Sequence, residues 1–458
     1  MKRIRLGRSA ASIIAPLALV AAVAWAGLPP LSFAPRVDVP LGPDGCVTGV
    51  DCSEGAVAAV AGDFNGDGDL DVATANNGSD DATVLLGDGA GGLVVSATLL
   101  AGAAPSAIAA GNLNGDAVLD LVVANETDDN VSVFIGNGDG TFDDAVPVAM
   151  GGSPDGVVLA DFDADGALDL ATANLSSESI SVRLGNGDGT FGDIVTTAVV
   201  GGPIALAAGR LNADANVDLA VSLNDAASVV ALLGAGDGTF TVGEPLPVDE
   251  GPQGLAIGDL DGDGDGDIAV AVATEFFDFV GVLLGNGDGT FAENVSYAVG
   301  GFPESVAIGD YNGDGIADLA TADSFGTIEL EGSVSVLAGN GDGTFQDAQA
   351  FETDIGPWGI VAADLNGDRL PDLVTANLDS ADVSVLVNTG TPPTPACVGD
   401  CNGDGDVAIN ELILAVNIAL GSAPVSACPA IDANGDGEVT INEIIAAVNN
   451  ALSGCPAA

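Results

Sequence analysis

Residues 63–71 read DFNGDGDLD, which sets side-chain oxygens at Asp63, Asn65 and Asp67, every second position, and a fourth at Asp71. The carbonyl of Asp69 would supply a fifth ligand, and Gly68 permits the tight turn between them. Calcium takes six to eight oxygens at about 2.3–2.6 Å, so the spacing suits a hard cation and lacks the soft ligands that zinc prefers. The plain alternative is an Asx-rich turn between two strands. Repetition favours the metal. Equivalent oxygens recur at Asp161, Asp163, Asp165 and Asp169, at Asp259, Asp261, Asp263 and Asp267, and at Asp310, Asn312, Asp314 and Asp318. A further copy, Asp364, Asn366, Asp368 and Asp372, has Arg369 in place of the turn glycine. Two copies depart more: one begins with Asn112 and has Ala117 for glycine, and another begins with Arg210 and keeps only Asn212, Asp214 and Asp218. Here the Arg210 guanidinium is expected to reach Asp214 or Asp218 and act as an internal cation, leaving this loop without metal.

Near the C-terminus the theme takes a stricter form. Residues 400–411, DCNGDGDVAINE, and 432–443, DANGDGEVTINE, are twelve-residue loops with glycine sixth and glutamate last. Calcium ligands are expected at Asp400, Asn402, Asp404 and Glu411 with the Asp406 carbonyl, and at Asp432, Asn434, Asp436 and Glu443 with the Glu438 carbonyl. An apolar periodicity of helical type follows each loop, ELILAVNIAL and EIIAAVNNAL, whereas no helical segment precedes either.

The elements that must hold the first set of loops are strands. Loop starts at Asp63, Asn112, Asp161, Arg210, Asp259, Asp310 and Asp364 are spaced by 49, 49, 49, 49, 51 and 54 residues, giving seven copies. Each loop lies between two small-residue strands such as SAIAAGN and DLVVAN. A third strand then ends in NGDGTF, whose N-G and D-G pairs are strong hairpin signals and lead into a fourth strand. Four short strands per unit and seven units predict a mainly β fold, a seven-bladed β-propeller, with a small α-helical C-terminal module. Residues 33–42, FAPRVDVPLG, align with the fourth strand at 142–151, FDDAVPVAMG, while the last unit lacks that strand. Residues 33–39 are therefore expected beside 384–387, completing the last blade and removing an exposed edge. The expected division is a signal peptide at 1–26, the propeller at 27–388, a Pro/Thr linker at 389–396 and a calcium module at 397–458.

Composition sets the partners. The chain has 458 residues, 47% hydrophobic, with 67 acidic and 8 basic residues, no histidine and a net charge of -59. With so few cations to neutralise phosphates, no nucleic-acid partner is expected. Four of the basic residues lie in MKRIRLGR, followed by an apolar run and the A-x-A site of residues 24–26, the pattern of a secretory signal. Cleavage would leave four arginines, a net charge of -63 and no membrane span. Six cysteines fit export. Cys46 and Cys52 are near enough for a local bridge, and Cys397, Cys401, Cys428 and Cys455 allow three pairings.

The phrases GDFNGDGDLD, GDLDGDGDGD and GDYNGDGIAD resemble the FG-GAP or VCBS repeat, the unit of the integrin α-subunit propeller. The resemblance covers residues 33–388 and implies metals in loops on one face, serving mainly to stiffen the ring. The paired loop-helix units, 32 residues apart, resemble dockerin modules, which implies a cohesin-like partner for the tail; dockerin loops usually end in aspartate and rarely carry four cysteines. Together these point to a secreted calcium-binding propeller for recognition of or adhesion to an extracellular glycan or protein, with a calcium-loaded tail for docking or capping. The alternative is a polysaccharide lyase or glycoside hydrolase on the same scaffold. Absence of histidine and lysine from the mature chain removes the commonest general bases, and nearly every acidic pair is assigned to a loop, so no catalytic residue is named.

Two surface features stand out. The residue after a strand-initiating proline is Ser106, Asp155, Ile204, Gln253, Glu304 or Trp358, and only Trp358 is a large aromatic. It is expected near the ring opening, either stacking on a sugar or packing between blades. The insertion EFFDF at 275–279 offers either a partner patch or a local hydrophobic plug.

Overall fold

The computed structural model describes residues 30–42, 55–274, 278–325, 331–391, 399, 401, 407–420, 422–423, 428, 431 and 439–453. The leader at 1–26, Cys46, Cys52, Cys397, Cys455, Phe276, Phe277 and residues 392–396 of the linker lie outside the described residues. So do Asp400, Asn402, Asp404, Asp406, Asp432, Asn434, Asp436, Glu438 and the Glu443 side chain.

Seven antiparallel sheets carry the four strands per unit that the period implies. The inner strands are Ala56–Gly62, Pro105–Gly111, Pro154–Ala160, Pro203–Gly209, Pro252–Gly258, Gly301–Gly309 and Pro357–Ala363, and each packs beside the next. Ala56–Gly62 also packs beside Pro357–Ala363, so the ring is closed. Small residues suit these strands because seven backbones converge on one axis. A Cβ on Gly359 would lie 2.8 Å from the Ala58 Cα, closer than neighbouring chains tolerate. The second strand of a blade, such as Asp71–Asn76 or Asp372–Asn377, is buried along its whole length between neighbouring blades, with small and apolar residues at its centre and a polar residue at each end. Six sheets have four strands. In the remaining one the outer strand is broken into Phe240–Val242 and Leu246–Pro247, both on Ser228–Gly234.

The last blade draws its outer strand from the beginning of the chain. Val37–Pro40 pairs antiparallel with Asp382–Leu386, Val37 opposite Val385 and Val39 opposite Val383, and Phe33 bridges Asn388. Leu31 and Phe33 fold over Tyr311 and Phe351, with the Phe33 and Phe351 rings 4.8 Å apart and edge to face.

In the C-terminal segment α1 (Ile409–Ala419) and α2 (Ile441–Ser453) pack together around Ala415, Ile418, Ile431 and Ala447. A Cys401–Cys428 disulfide decides half of the pairing that sequence left open. Among the described residues no helix is long and apolar enough to cross a membrane.

Candidate metal loops and the central recess

Each propeller loop joins an inner strand to the buried second strand, and the last aspartate pins the junction. The Phe64 N–H donates to Asp71 Oδ2 at 2.8 Å and the Gly87 N–H to Asp71 Oδ1 at 2.8 Å, tying the loop to the end of the third strand. Asp120, Asp169, Asp218, Asp267, Asp318 and Asp372 repeat this pair of bonds in the other six blades. Burial pushes all seven carboxyls above their ordinary value, to about 6 for Asp267 and Asp372 and about 7 for Asp318, against the pull of the backbone donors.

The earlier oxygens curl the loop around a centre. Asp63 accepts the Gly66 and Gly68 N–H groups, Asn65 Oδ1 accepts that of Asp67, and Asp67 Oδ1 that of Asp69. Gly66 and Gly68 have φ of 75° and 94°, the left-handed region that favours glycine. Ala117 and Arg369 occupy the second of these positions at φ 71° and 76°, and Ala164 the first at φ 59°, so three copies hold a side chain in that strained conformation. Asp364 Oδ2 accepts the Arg369 N–H at 2.7 Å, which holds the residue there.

The donor chemistry fits a hard cation. Oxygens of Asp161, Asp163 and Asp169 lie within 4.8 Å of one another, as do those of Asp259, Asp261 and Asp263. Burial first, then the neighbouring carboxylates, pushes Asp163 and Asp261 upward. In the loop of Asp310, Asn312, Asp314 and Asp318, the Asp314 Oδ2 is buried with no hydrogen-bond donor. An orphaned carboxylate oxygen of this kind costs about 1–3 kcal/mol or more, and a bound cation would remove the penalty.

The fourth copy departs from this geometry. Arg210 is exposed, and among the described residues it makes no hydrogen bond or ion pair with Asp214 or Asp218. The internal-cation expectation is therefore corrected. Both Asp218 oxygens are already taken by the Leu211 and Gly234 N–H groups in a buried junction that a guanidinium does not enter. With no acceptor at position 210, neither Ala213 nor Ala215 adopts a positive φ, and the loop closes only through Asn212 and Asp214.

At the other end of the inner strands lies a cavity of about 270 Å³ on the ring axis. Its lining takes the second position of the inner strands: Ser106, Asp155, Ile204, Gln253 and Trp358, with Glu304 equivalent. An adjoining recess of about 220 Å³ shares Ser106, Asp155 and Trp358 and adds Asn77 and Glu126. Trp358 has the position expected of it and the packing role. It lines the opening, and it also packs against the apolar cluster of Val57, Ala75 and Ile108.

Six segments, 63–123, 113–172, 161–221, 210–270, 263–321 and 322–375, match the family described as FG-GAP-like repeat, and together they span more than half of the chain. The chain belongs to the FG-GAP-like repeat family. Solved structures with the same architecture include BBS1N in complex with ARL6DN, at 14% identity and TM-score 0.52 over 74% of this chain and 94% of that one. Another is hydrazine synthase from Kuenenia stuttgartiensis, at 12% identity and TM-score 0.55 over 75% and 99%. At these identities the likeness is one of fold. No match to a curated protein sequence was found.

Within these FG-GAP-like repeats the NGDGT turns do more than turn. The Gly140 N–H donates to the Phe64 carbonyl of the preceding blade's loop, and Gly189, Gly238 and Gly289 donate likewise to Leu113, Phe162 and Leu211. Gly91 donates to Leu365, carrying the latch across the ring closure. Phe142 stacks edge to face on Phe64, and Phe240 on Phe162. Candidate metal loop and inter-blade latch are thus one structure.

Two further features escaped the sequence. At the seam, Arg36 Nε donates to Asp38 at 3.0 Å, Nη1 donates to the Thr353 carbonyl, and Nη2 faces Asp354 at 3.9 Å. Oxygens of Asp38, Asp354 and Asp382 lie within 4.8 Å of one another, and burial raises Asp382 to about 6. Deep in four blades, Asn76, Asn125, Asn174 and Asn377 donate to polar groups on the third strand, whereas the sixth blade has Asp323 there. Of the EFFDF insertion, Phe279 is buried at the start of Phe279–Leu283, as a plug would be, and the Asp278 carboxylate accepts the Thr274 N–H.

The tail contributes one described ligand candidate. Glu411 is buried, and its carboxylate accepts the Cys401 N–H through Oε1 and the Ala408 N–H through Oε2, both at 2.8 Å. It therefore caps α1 while facing the start of its loop.

Proposed function

We propose that the chain is a secreted, calcium-stabilised binding protein, whose FG-GAP-like propeller recognises an extracellular ligand at the central recess. Calcium would sit in the loops of Asp63, Asp161, Asp259, Asp310 and Asp364, with a weaker site at Asn112 and none at Arg210. The observation that carries the metal assignment is the buried, donorless Asp314 Oδ2 inside one of the oxygen-rich loops that recur from blade to blade. Because the loops of Asp63, Asp161 and Asp364 also receive a latch from the next blade through Phe64, Phe162 and Leu365, a bound cation there would stiffen the contact between blades as well as its own turn. In the tail, Glu411 and the equivalent Glu443 would complete two dockerin-like calcium loops, for docking to a cohesin-like partner or for capping the chain. Export is supported by the leader pattern and by the Cys401–Cys428 bridge.

The test is thermal unfolding with calcium and with a chelator. With five good loops, chelation should lower Tm by on the order of 10 °C or more. An unchanged Tm would refute the metal assignment.

A further inference from the structure

On the proposed calcium reading, we infer that the cation of the sixth loop, 310–318, is locked in by a strap formed from the two ends of the propeller chain, residues 31–33 and 388–390. The same cation fastens that strap in return.

The sixth loop does not close on itself as its counterparts do. In the loops of Asp63, Asn112 and Asp364 the amide at the third position donates to the carboxylate at the fifth. Asn65 reaches Asp67 Oδ2 at 2.9 Å, Asn114 reaches Asp116 Oδ2 at 2.8 Å, and Asn366 reaches Asp368 Oδ2 at 3.1 Å. The same pair of atoms in the sixth loop, Asn312 Nδ2 and Asp314 Oδ2, is buried and unbonded. A cation leaving the other three loops leaves a carboxylate oxygen that an amide already caps. A cation leaving the sixth leaves one with no donor, so its release costs more. Asn312 is also fully buried, whereas Asn65, Asp163, Asp261 and Asn366 at the same position keep contact with solvent. Water must replace the ligands of a departing cation, and it reaches this position least.

The strap meets the loop at Tyr311. In five blades the loop carbonyl, that of Phe64, Leu113, Phe162, Leu211 or Leu365, accepts a glycine N–H from the next blade's turn. The seventh blade ends in NTG instead, and a side chain takes over the task. Asn388 Nδ2 donates to the Tyr311 carbonyl at 2.8 Å, and Asn388 Oδ1 accepts the Gly390 N–H at 2.9 Å. The N-terminal segment ties this residue down. Phe33 bridges Asn388, the Thr389 N–H donates to the Ser32 carbonyl at 2.7 Å, and the Ser32 and Thr389 hydroxyls bond at 2.7 Å. Leu31 and Phe33 pack on the fully buried Tyr311. Because Tyr311 lies between the ligands Asp310 and Asn312 in the chain, opening the loop displaces the residue on which the strap sits. By reciprocity, a cation that fixes the loop also fixes the closing strand and the root of the C-terminal segment.

Terbium(III), a hard cation that takes the same oxygen ligands as calcium, emits when a neighbouring tyrosine is excited. The difference in emission between the chain and Tyr311→Phe therefore reports the sixth loop, and the C-terminal segment, with no aromatic residue, adds nothing. The full chain is loaded with terbium and mixed with excess xylenol orange, whose colour counts every ion released. The Tyr311-dependent emission should outlast most of the colour change by about tenfold or more. In Asn388→Ala it should decay about tenfold faster, and in the milder Ser32→Ala several-fold faster, with the rest of the colour change unaltered. In saturating calcium, Asp314→Asn should speed amide exchange at Ala34 and Thr389, whose N–H groups close the strap, by about tenfold. Emission and colour that change together would overturn the inference while leaving the metal assignment intact, as would colour without Tyr311-dependent emission for the remaining loops. Slow emission unaltered in both strap variants at the parent Tm, or exchange unaltered in Asp314→Asn, would also overturn it. Neither emission nor colour would overturn the metal assignment as well.

Discussion

Asp323→Asn should stabilise the protein, and by an amount that depends on pH. Asp323 is fully buried, accepting the Ser335 hydroxyl at 2.6 Å and the Thr321 hydroxyl at 2.8 Å, and burial pushes its carboxyl from 3.8 to about 7. The folded state therefore holds a proton that the unfolded chain has released between roughly pH 4 and 7, so stability is gained as pH falls through that range and withheld above it. Each tenfold in proton affinity is worth ~1.4 kcal/mol, which sets an upper figure of ~4 kcal/mol at pH 8. Relaxation around the charge and reorientation of three hydroxyls reduce this to about 2 kcal/mol, or ~2–3 °C in Tm for a propeller of this size. Asparagine at this position already works in four blades, donating to the equivalent hydroxyls, for example from Asn174 to Ser181 at 2.9 Å. Calorimetry of both proteins from pH 8 to pH 4 in saturating calcium is the assay. The variant's advantage should be largest at pH 8, shrink as pH falls below 7 and vanish only toward pH 4. Equal melting temperatures at every pH, or an advantage that grows on acidification, would refute the reasoning.

Arg369→Gly should relieve the left-handed strain at φ 76°, adding about 1 kcal/mol of stability and tightening calcium at the last loop; denaturant unfolding and calorimetric titration check both. Arg36→Met keeps the stem but leaves Asp38 and Asp354 beside a buried Asp382 without their cation, so about 1–3 kcal/mol should be lost at pH 8. Because Asp382 takes up a proton near pH 6, the deficit should shrink below that pH, read by the same unfolding curves. Gly140→Ala places a Cβ 3.1 Å from Leu86 and distorts a turn at φ 80°, so the latch between the first two blades should weaken, with faster amide exchange at Gly140 than at Gly189.

Much of the architecture was written in local pattern. The 49-residue period, the D-x-[ND]-x-D phrase and the NGDGT hairpin are each short, repeated and self-contained, so blade count and strand order followed from them. The closing strand at 33–39 was legible too, from its likeness to a fourth strand, but the contacts that form only once the ring is closed were not. Arg36 meets Asp354 only after both ends of the propeller come together, and the Gly91 to Leu365 latch joins residues far apart in the chain. The fourth loop shows a different limit. Substituting one charge for another suggested an internal ion pair, but the decisive quantity was backbone conformation: without an acceptor at Arg210, alanines 213 and 215 have no reason to turn left-handed. The Asn/Asp323 pin escaped the sequence because its meaning comes from burial, which turns an apparently conservative exchange into a titrating group in the core.

The most direct test is anomalous diffraction from crystals grown in calcium, recorded at a wavelength where calcium scatters. Density is expected among Asp63, Asn65 and Asp67, within the loops of Asp161, Asp259, Asp310 and Asp364, and not beside Arg210. Loops without calcium in all five, or a full site in the Arg210 copy, would contradict the view that this propeller is held closed by metals wherever its first aspartate survives.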